Sequence, residues 1–289
     1  MDGKVDLRAI SDKLALREDG IWYSTEQKMA VSYPDDGNAS CFEAEDKSFW
    51  FKHRNNCILE ALKKYPPPTG GAIFDIGGGN GAVAVNLAKN GFDIVLVEPG
   101  EVGILNAKKR GIKNIVNSTL DSAGFKCESI SAVGLFDVLE HVEEDVTFLG
   151  SIRKLLLPEG LIYLTVPAYN LLWSQEDDDA GHQKRYCIDQ LRQAMEQSGF
   201  EIIYSTYIFR FLPLAIFCFR TIPYLLGIKR SASDRGKISR EHVARDGAIK
   251  RFLNFLLSAE IKTIKKGRSL CFGGSCLIVA KVNPRQSLN

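Results

Sequence analysis

Phe74-Asp-Ile-Gly-Gly-Gly-Asn-Gly81 ends a short apolar run and opens a helical pattern. Glycines at such a junction remove the Cβ atoms that would keep a ligand away from the backbone N–H groups at the start of a helix. The stretch predicts a ligand-binding turn at the carboxyl edge of a parallel sheet. It does not separate ligand classes, because Gly77, Gly79 and Ala82 also satisfy the dinucleotide fingerprint G-x-G-x-x-G/A. A tight turn packed for its own sake is a further alternative.

Short apolar runs alternate with helical stretches after this turn. Such alternation, with continuous apolar strands, is typical of a doubly wound, mostly parallel sheet of the Rossmann-like α/β class. We predict seven strands, with a helical insertion between the sixth and the seventh. The strand candidates are 72–76, 93–97, 112–116, 130–136, 161–166, 200–207 and 275–282, and the helical stretches are 82–89, 100–109, 144–157 and 188–198.

The 289 residues exceed what one core of ordinary size needs, so we divide the chain into four segments. Residues 1–44 form an N-terminal appendage, in which Asp19-Gly20 between two strand-like runs predicts a tight hairpin. Residues 45–207 form the ligand-binding core. Residues 208–274 form an apolar and basic helical insertion, and 275–289 the final core strand with a tail.

The composition excludes several classes of protein. Apolar residues make up 45% of the chain and charged residues 25%, which rules out collagen, general disorder and a polytopic membrane protein. Seven scattered cysteines without a C-x-x-C pair indicate neither a disulfide framework nor a zinc knuckle, and no metal site is expected. Residues 1–12 lack the apolar segment of a signal peptide. We therefore expect a cytoplasmic protein.

Two acidic residues narrow the choice of ligand. Asp75 lies two residues before Gly77, where its charge would repel a diphosphate. The same charge would attract a ligand with an ammonium group and a sulfonium, as S-adenosylmethionine has. Glu98 ends the second core strand and can accept hydrogen bonds from both hydroxyls of a ribose. S-adenosylmethionine and a dinucleotide both contain a ribose, so Glu98 suits either ligand. Asp75 therefore argues against the cofactor of an NAD(P)-dependent oxidoreductase.

Four motifs follow one another in the chain: Asp75-Ile-Gly-Gly-Gly-Asn-Gly81, Glu98, Phe136-Asp-Val-Leu-Glu-His-Val142 and Leu157-Pro-Glu-Gly-Leu-Ile-Tyr-Leu-Thr-Val-Pro167. With them the chain resembles the class I S-adenosylmethionine-dependent methyltransferases over roughly residues 45–207 and the final strand. The resemblance implies S-adenosylmethionine as cofactor. It implies that the methionine part of the cofactor is bound by Asp75, Gly77, Gly78, Gly79, Asn80 and Gly81. It further implies that Glu98 binds the ribose and that Thr119 and Leu120 bind the adenine. Phe136 is the remaining residue expected to bind the cofactor.

Two histidines are candidates for a general base, which methyl transfer needs only when the acceptor must lose a proton. His141 follows the fourth core strand, and His182 lies after the fifth, at the edge where ligands bind. The loop resembles the W-S-x-x-D and G-H-x-x-R-Y pattern of a subset associated with glycans or lipid-linked precursors, through Trp173-Ser174, Asp177, Gly181-His182 and Arg185-Tyr186. We predict His182, His141 and Arg185 as catalytic. As alternatives, His141 only starts a helix, and Arg185 only pins the loop to an aspartate.

Trp50, Phe51 and Arg54 precede the glycine turn and match the F-W-F-x-x-R feature of the same subset. They fall on one helical pattern that ends at Pro66-Pro-Pro68. We interpret them as a lid over the donor or the acceptor. An ordinary aromatic core face is the alternative.

The insertion joins an apolar stretch to a basic one. Sixteen of the twenty-two residues 207–228 are hydrophobic, and 229–268 hold twelve Lys or Arg against four Asp or Glu. Arg210 and Arg220 argue against a transmembrane helix over this stretch, because the insertion of one charged side chain near the bilayer centre costs about 2.5 to 3.5 kcal/mol. We expect 207–251 either to touch an anionic membrane surface peripherally or to roof an apolar acceptor pocket, with an intramolecular helical cap as the alternative. The basic stretch lacks an RNA-binding motif, so no nucleic-acid partner is expected.

The sequence thus predicts an S-adenosylmethionine-dependent methyltransferase that acts, preferably at oxygen, on a small-molecule or a glycan- or lipid-linked acceptor. Its rivals are an NAD(P)-dependent oxidoreductase and a non-catalytic scaffold that retains the donor site. The expected location is the cytoplasm, with peripheral contact at the inner membrane surface. The acceptor, the methylated atom and the oligomeric state do not follow from the sequence.

Overall fold

The computed structural model describes residues 5–26, 42–43, 45–228 and 247–284. Its strands are β1 (Leu14–Leu16), β2 (Trp22–Ser24), β3 (Ile73–Ile76), β4 (Ile94–Val97), β5 (Asn114–Asn117), β6 (Ile130–Phe136), β7 (Leu156–Pro167), β8 (Phe200–Ile208) and β9 (Ser275–Val282). They form one sheet in the order β1-β2-β5-β4-β3-β6-β7-β9-β8.

The α-helices are α1 (Leu7–Ile10), α2 (Phe49–Lys64), α3 (Ala82–Lys89), α4 (Glu101–Lys109), α5 (Asp145–Leu155), α6 (Gln175–Ala180), α7 (Ile188–Gln197), α8 (Leu212–Ile216), α9 (Ile222–Leu225) and α10 (Ala248–Lys265). Short 3₁₀ turns cover Pro68–Gly70, Leu139–His141 and Asn170–Leu172, and one π-helical turn covers Phe217–Thr221.

The seven predicted core strands are present as β3 to β9, and the doubly wound, mostly parallel class is confirmed. The predicted number of strands is wrong, because the N-terminal hairpin adds β1 and β2 to the same sheet. β2 pairs in parallel with β5, Trp22 opposite Val116. The Asp19-Gly20 turn marks the hairpin, whereas its partner strand is chosen by packing far away in sequence, which local patterns do not report. The segment boundaries stay a prediction.

Parallel pairing places several strand ends at one edge of the sheet. β3 pairs in parallel with β4 and β6, and β6 with β7, while β9 runs antiparallel to both β7 and β8. Every residue of β3 and β4 is buried, as expected for strands covered on both faces. The loops that follow β3, β4, β6 and β7 therefore meet at the same edge.

Helices cover both faces of the sheet. On one face the apolar core includes Leu149 of α5 and Leu191 of α7. On the other it includes Ile58 of α2, Leu87 of α3 and Ile104 of α4. These helices bury apolar residues against the two faces of the sheet, which is the pattern of a three-layer α/β domain.

The predicted helical insertion lies between β8 and β9 and consists, in the described residues, of α8, the π-turn, α9 and α10. Glu260 of α10 is buried and ties this insertion to the core. Its carboxylate accepts hydrogen bonds from the backbone N–H groups of Phe209 (2.7 Å) and Arg210 (3.0 Å), and it lies 2.7 Å from His53 Nε2 of α2. None of the described helices has the length and apolar character needed to cross a membrane.

Candidate active site

The glycine turn, residues 75–81, connects β3 to α3. Gly77 (φ 69°) and Gly81 (φ 75°) adopt left-handed backbone conformations that L side chains rarely adopt. A Cβ on Gly77 would lie 2.9 Å from Val138, and one on Gly78 would lie 2.9 Å from Leu96 and 3.0 Å from Asp75 Oδ2. The glycines are therefore required by tight packing, whatever further role the turn has.

Asp75 is the buried carboxyl beside this turn. It is 1% exposed, and its Oδ2 atom has no hydrogen-bond partner within the described residues. Burial raises the pKa of Asp75 to about 7, with Arg54 lowering it and Glu98 raising it. A buried acceptor without a partner is costly unless a ligand supplies a donor. The site thus fits a cationic donor group such as an ammonium.

Glu98 follows β4 and is also buried. Its two oxygens accept hydrogen bonds from the backbone N–H groups of Gly79 (2.9 Å) and Gly100 (2.7 Å). Burial raises the pKa of Glu98, and these two amides oppose the rise. A carboxylate has about four lone-pair sites, so two remain for the hydroxyls of a ribose.

The other predicted cofactor-binding side chains are engaged within the protein. Asn80 is 1% exposed and hydrogen-bonds to Glu45 and Asn106. Thr119 accepts a hydrogen bond from the backbone N–H of Ser122, and Leu120 belongs to the apolar core. Phe136 is buried in the core on the opposite face of the sheet. Their contacts with a cofactor stay a prediction.

The histidine cluster, Glu140, His141, Asp177, His182 and Arg185, joins the loops after β6 and β7. Asp177 Oδ1 lies 2.8 Å from His182 Nδ1 and accepts a hydrogen bond of 2.7 Å from Arg185 Nε. Burial opposes the charge of Asp177, but hydrogen bonds from His182 and Arg185 hold its pKa below the usual value. An ionised Asp177 sets the His182 tautomer with the proton on Nδ1. Nε2 of His182 is then free to accept a proton.

His141 and Glu140 lie against His182. The two imidazole rings pack edge to face with centroids 4.9 Å apart, and His141 Nδ1 is 3.3 Å from the carbonyl oxygen of Gly181. Burial and the neighbouring His182 lower the pKa of His141. Glu140 Oε1 is 4.0 Å from His182 Nε2, and burial together with Asp137 raises the pKa of Glu140 well above its usual value. Perturbed pKa values of this kind, at Glu140 and His141, are typical of functional sites.

Arg185 contacts an aspartate of its own loop, as expected if its role is only to hold that loop in place. Its side chain is 8% exposed, bonded to Asp177, and directed at the carbonyl oxygen of Ala168. A direct role for Arg185 in acceptor chemistry stays a prediction.

One grouping in this cluster also suits a cation. One donor atom each from Glu140, His141 and His182 lie within 4.8 Å of one another. The sequence gives no metal-ligand spacing here, and the expectation of no metal stays a prediction.

Arg54 connects the glycine turn to the histidine cluster, a link that the sequence did not predict. It forms an ion pair with Asp137, the residue that directly follows β6 and has a φ of 59°. Asp137 also accepts a hydrogen bond from Thr165 of β7 (2.9 Å). The charge of Arg54 acts on both Asp75 and Glu140. The signal available in the sequence was the position of Asp137 next to Phe136 in the fourth-strand motif.

The aromatic residues of the predicted lid wall this region. The Trp50 ring stacks on Phe209 at 5.4 Å and meets Phe51 edge to face at 5.0 Å. The Arg54 guanidinium lies 5.0 Å from the Trp50 centroid. Trp50 and Phe51 are partly buried and lie 5.0 and 5.3 Å from the Arg54 guanidinium, so they border the site, and a lid role stays a prediction.

The fold and the site together define the class of protein: a Rossmann-like domain with a glycine turn, a strand-terminal acid and an unpaired buried aspartate. Residues 50–205, more than half of the chain, match the family model described as a methyltransferase domain. The chain therefore belongs to the methyltransferase-domain family.

Curated relatives agree with this family. The ubiquinone biosynthesis O-methyltransferase of Aliivibrio fischeri strain MJ11 is 30% identical over 108 residues, 35% of this chain and 46% of the relative. The mitochondrial ubiquinone biosynthesis O-methyltransferase of Schizosaccharomyces pombe is 30% identical over 126 residues, 41% of this chain and 46% of the relative. The chain thus spans about half the length of the curated relatives it matches.

Solved structures share the fold. Haemonchus contortus phosphoethanolamine N-methyltransferase 2, solved with S-adenosylmethionine, has a TM-score of 0.53 at 16% identity, over 87% of this chain and 58% of that chain. A SAM-dependent methyltransferase from Thermotoga maritima has a TM-score of 0.52 at 16% identity, over 86% and 99%.

Family membership confirms the expected class, a class I S-adenosylmethionine-dependent methyltransferase, and decides against the nicotinamide-dependent oxidoreductase. The residues present fit this cofactor. Asp75 Oδ2 offers the unpaired acceptor that an ammonium group needs, and Glu98 has two lone-pair sites left for ribose hydroxyls.

Proposed function

We propose that this methyltransferase transfers a methyl group to a hydroxyl oxygen of a small-molecule or a glycan- or lipid-linked acceptor, with His182 as general base. The observation that carries the proposal is the Asp177–His182 hydrogen bond of 2.8 Å at the edge of the sheet that holds the glycine turn. A carboxylate that orients an imidazole is the usual means of making its far nitrogen a base.

The donor side of the reaction rests on the residues of the glycine turn. S-adenosylmethionine supplies an electrophilic methyl group on a sulfonium when it is bound. Asp75 would hold the ammonium group, Glu98 would hold the ribose, and the left-handed glycines would let the backbone approach closely. These residues orient the donor and take no part in proton transfer.

The acceptor side rests on the histidine cluster. Bound S-adenosylmethionine would supply the methyl group to the acceptor oxygen, and His182 Nε2 would take the proton that the acceptor hydroxyl loses. Asp177 stabilises the imidazolium that results, and its pKa, held low, keeps it ionised throughout. Trp50 and Phe51 border the site and help to exclude water, so that in-line positioning contributes much of the rate.

Two observations favour oxygen as the acceptor atom. A bound phenol or alcohol must lose a proton to become a good nucleophile, and the proposed role of His182 is to accept it. The curated relatives that match part of the chain are named O-methyltransferases of ubiquinone biosynthesis.

The test is an acceptor panel with full-length protein and methyl-labelled S-adenosylmethionine. The panel contains catechol, catechol with a farnesyl chain, and a primary amine of similar size. We expect transfer to the catechol oxygens and none to the amine. Transfer to the amine alone would contradict the choice of oxygen, and binding of S-adenosylhomocysteine without turnover of any acceptor would favour the non-catalytic scaffold.

A further inference from the structure

One face of the insertion carries large apolar side chains that are exposed to solvent. Leu214, Phe219, Leu225 and Leu226 are between 69% and 71% exposed. Ile222 and Ile228 are 38% and 58% exposed. We name these six residues the apolar ridge. Contiguous exposed apolar surface of this kind is typical of an interaction site.

The local backbone gathers these side chains on one side. A π-helical turn advances by about 4.4 residues per turn, so the five-residue spacing of Leu214 and Phe219 across Phe217–Thr221 keeps both on one face. Ile222, Leu225 and Leu226 continue that face at three- and four-residue spacing. Pro213 and Thr221, on the opposite side, are buried against the protein. The π-turn therefore makes one continuous apolar face out of two short helices.

No exposed position of this face is charged, and cations stand on both sides of it in the sequence. The exposed positions from 212 to 228 hold no charged residue. Arg210, just before α8, is exposed, and Lys229-Arg230 follow Ile228 directly in the sequence. Residues 229–251 contain eight Lys or Arg against three Asp or Glu, although 229–246 lie outside the described residues.

We propose that the apolar ridge docks this protein on the surface of a bilayer that contains anionic headgroups. An uncharged apolar face flanked by cations is the arrangement of interfacial helices, which bury the apolar side chains at the acyl boundary and pair the cations with lipid phosphates. A second copy of the chain fits less well, because two ridges in contact would each bring a cationic flank, of which exposed Arg210 is described, to the same interface. The proposal does not depend on the methyl-transfer reaction.

The ridge is fastened to the loop that carries the histidine cluster. Arg220 Nε lies 3.5 Å from Glu176 Oε1, and the Tyr224 hydroxyl hydrogen-bonds to Asp178. Glu176, Asp177 and Asp178 belong to one turn of α6, in which Asp177 holds His182. Docking through the ridge would therefore bring the His182 loop to the bilayer surface, where a lipid-linked acceptor resides.

The test is sedimentation of the full-length protein with vesicles of phosphatidylcholine alone or with about 30% phosphatidylglycerol. We compare wild type, the ridge variant Leu225→Glu/Leu226→Glu, and Leu105→Glu as a matched control on the exposed side of α4. Wild type and the control should bind the anionic vesicles, less at about 0.5 M salt, and the ridge variant should bind at least about tenfold less. Near-unchanged affinity for S-adenosylhomocysteine would show that the ridge variant is folded.

Three outcomes would overturn the proposal. The first is that wild type does not sediment with anionic vesicles at low salt. The second is that the ridge variant binds them as well as wild type. The third is that wild type is a dimer without lipid and the ridge variant is a monomer, which would assign the ridge to a second copy of the chain.

Discussion

The glycine turn and the histidine cluster lie at the same edge of the sheet but are built in opposite ways. At the glycine turn, one oxygen of buried Asp75 has no hydrogen-bond partner, so a ligand that donates a hydrogen bond to it would be favoured. In the histidine cluster, Asp177 already bonds to Ser174, His182 and Arg185. At the glycine turn, a ligand must supply the hydrogen-bond donor that Asp75 lacks. In the histidine cluster, the hydrogen bonds of Asp177 are already formed within the protein.

The two regions differ in how their polar contacts affect the stability of the free protein and the binding of ligands. An unpaired buried carboxyl destabilises the free protein and strengthens ligand binding by a similar amount. A satisfied Asp–His–Arg network stabilises its own loop and holds the imidazole in position for proton transfer. Substitutions in the two regions should therefore separate binding from turnover.

The largest expected effect is on turnover. His182→Ala should lower methyl transfer by about 10² or more and leave the affinity for S-adenosylhomocysteine within a few-fold, because donor contacts come from other strands. Gln183→Ala is the matched control, since the Gln183 side chain is exposed next to His182. Single-turnover rates and calorimetry measure the two quantities. A loss of donor affinity or of thermal stability would make the loop structural and His141 the better candidate for the base.

The second expected effect is on donor affinity. Asp75→Asn should weaken the binding free energy of S-adenosylhomocysteine by about 1.5 to 3 kcal/mol, the contribution of a charge-assisted hydrogen bond. Asp93→Asn, at an exposed position before β4, is the control. The free Asp75→Asn protein should be at least as stable as wild type at about pH 8, because the substitution removes a buried charge. Reduced affinity accompanied by reduced stability would show instead that Asp75 supports the fold.

The smallest expected effect is the pH dependence of donor binding. With the pKa of Asp75 at about 7 in the free protein, an ammonium-bearing ligand must displace a proton at lower pH. Affinity for S-adenosylhomocysteine should therefore fall by up to about tenfold per pH unit below 7 and level off above it. For folding the sign is reversed, since the contribution of Asp75 is complete below the unfolded pKa of about 4 and is lost as the pH rises through 7.

Calorimetry between about pH 5.5 and pH 8.5 checks this dependence, with Asp75→Asn as the variant in which it should vanish. The same slope in wild type and in the variant would assign the titration to another group, such as Glu98.

The regions differ also in how well the sequence predicted them. The glycine turn was predicted from its motif between an apolar run and a helical pattern, and left-handed φ at Gly77 and close packing at Gly77 and Gly78 explain why glycine is needed there. The strands from β3 to β9 were predicted because short apolar runs that alternate with helical stretches are typical of the buried strands of an α/β domain. His182 was singled out, but its bond to Asp177 and its approach to Glu140 join residues that no local pattern connects.

The class of fold and the residues of the glycine turn could be predicted from the sequence, since they depend on short-range periodicity and on backbone conformation, and the family could be predicted from the resemblance of four motifs. Only the tertiary structure decided that the hairpin extends the sheet beside β5, that Arg54 pairs with Asp137 between the two regions, and that Arg220 ties the apolar ridge to α6. The physical reason is that pairings between distant segments are selected by the combined packing of the whole chain, and their energies are not encoded in any one segment.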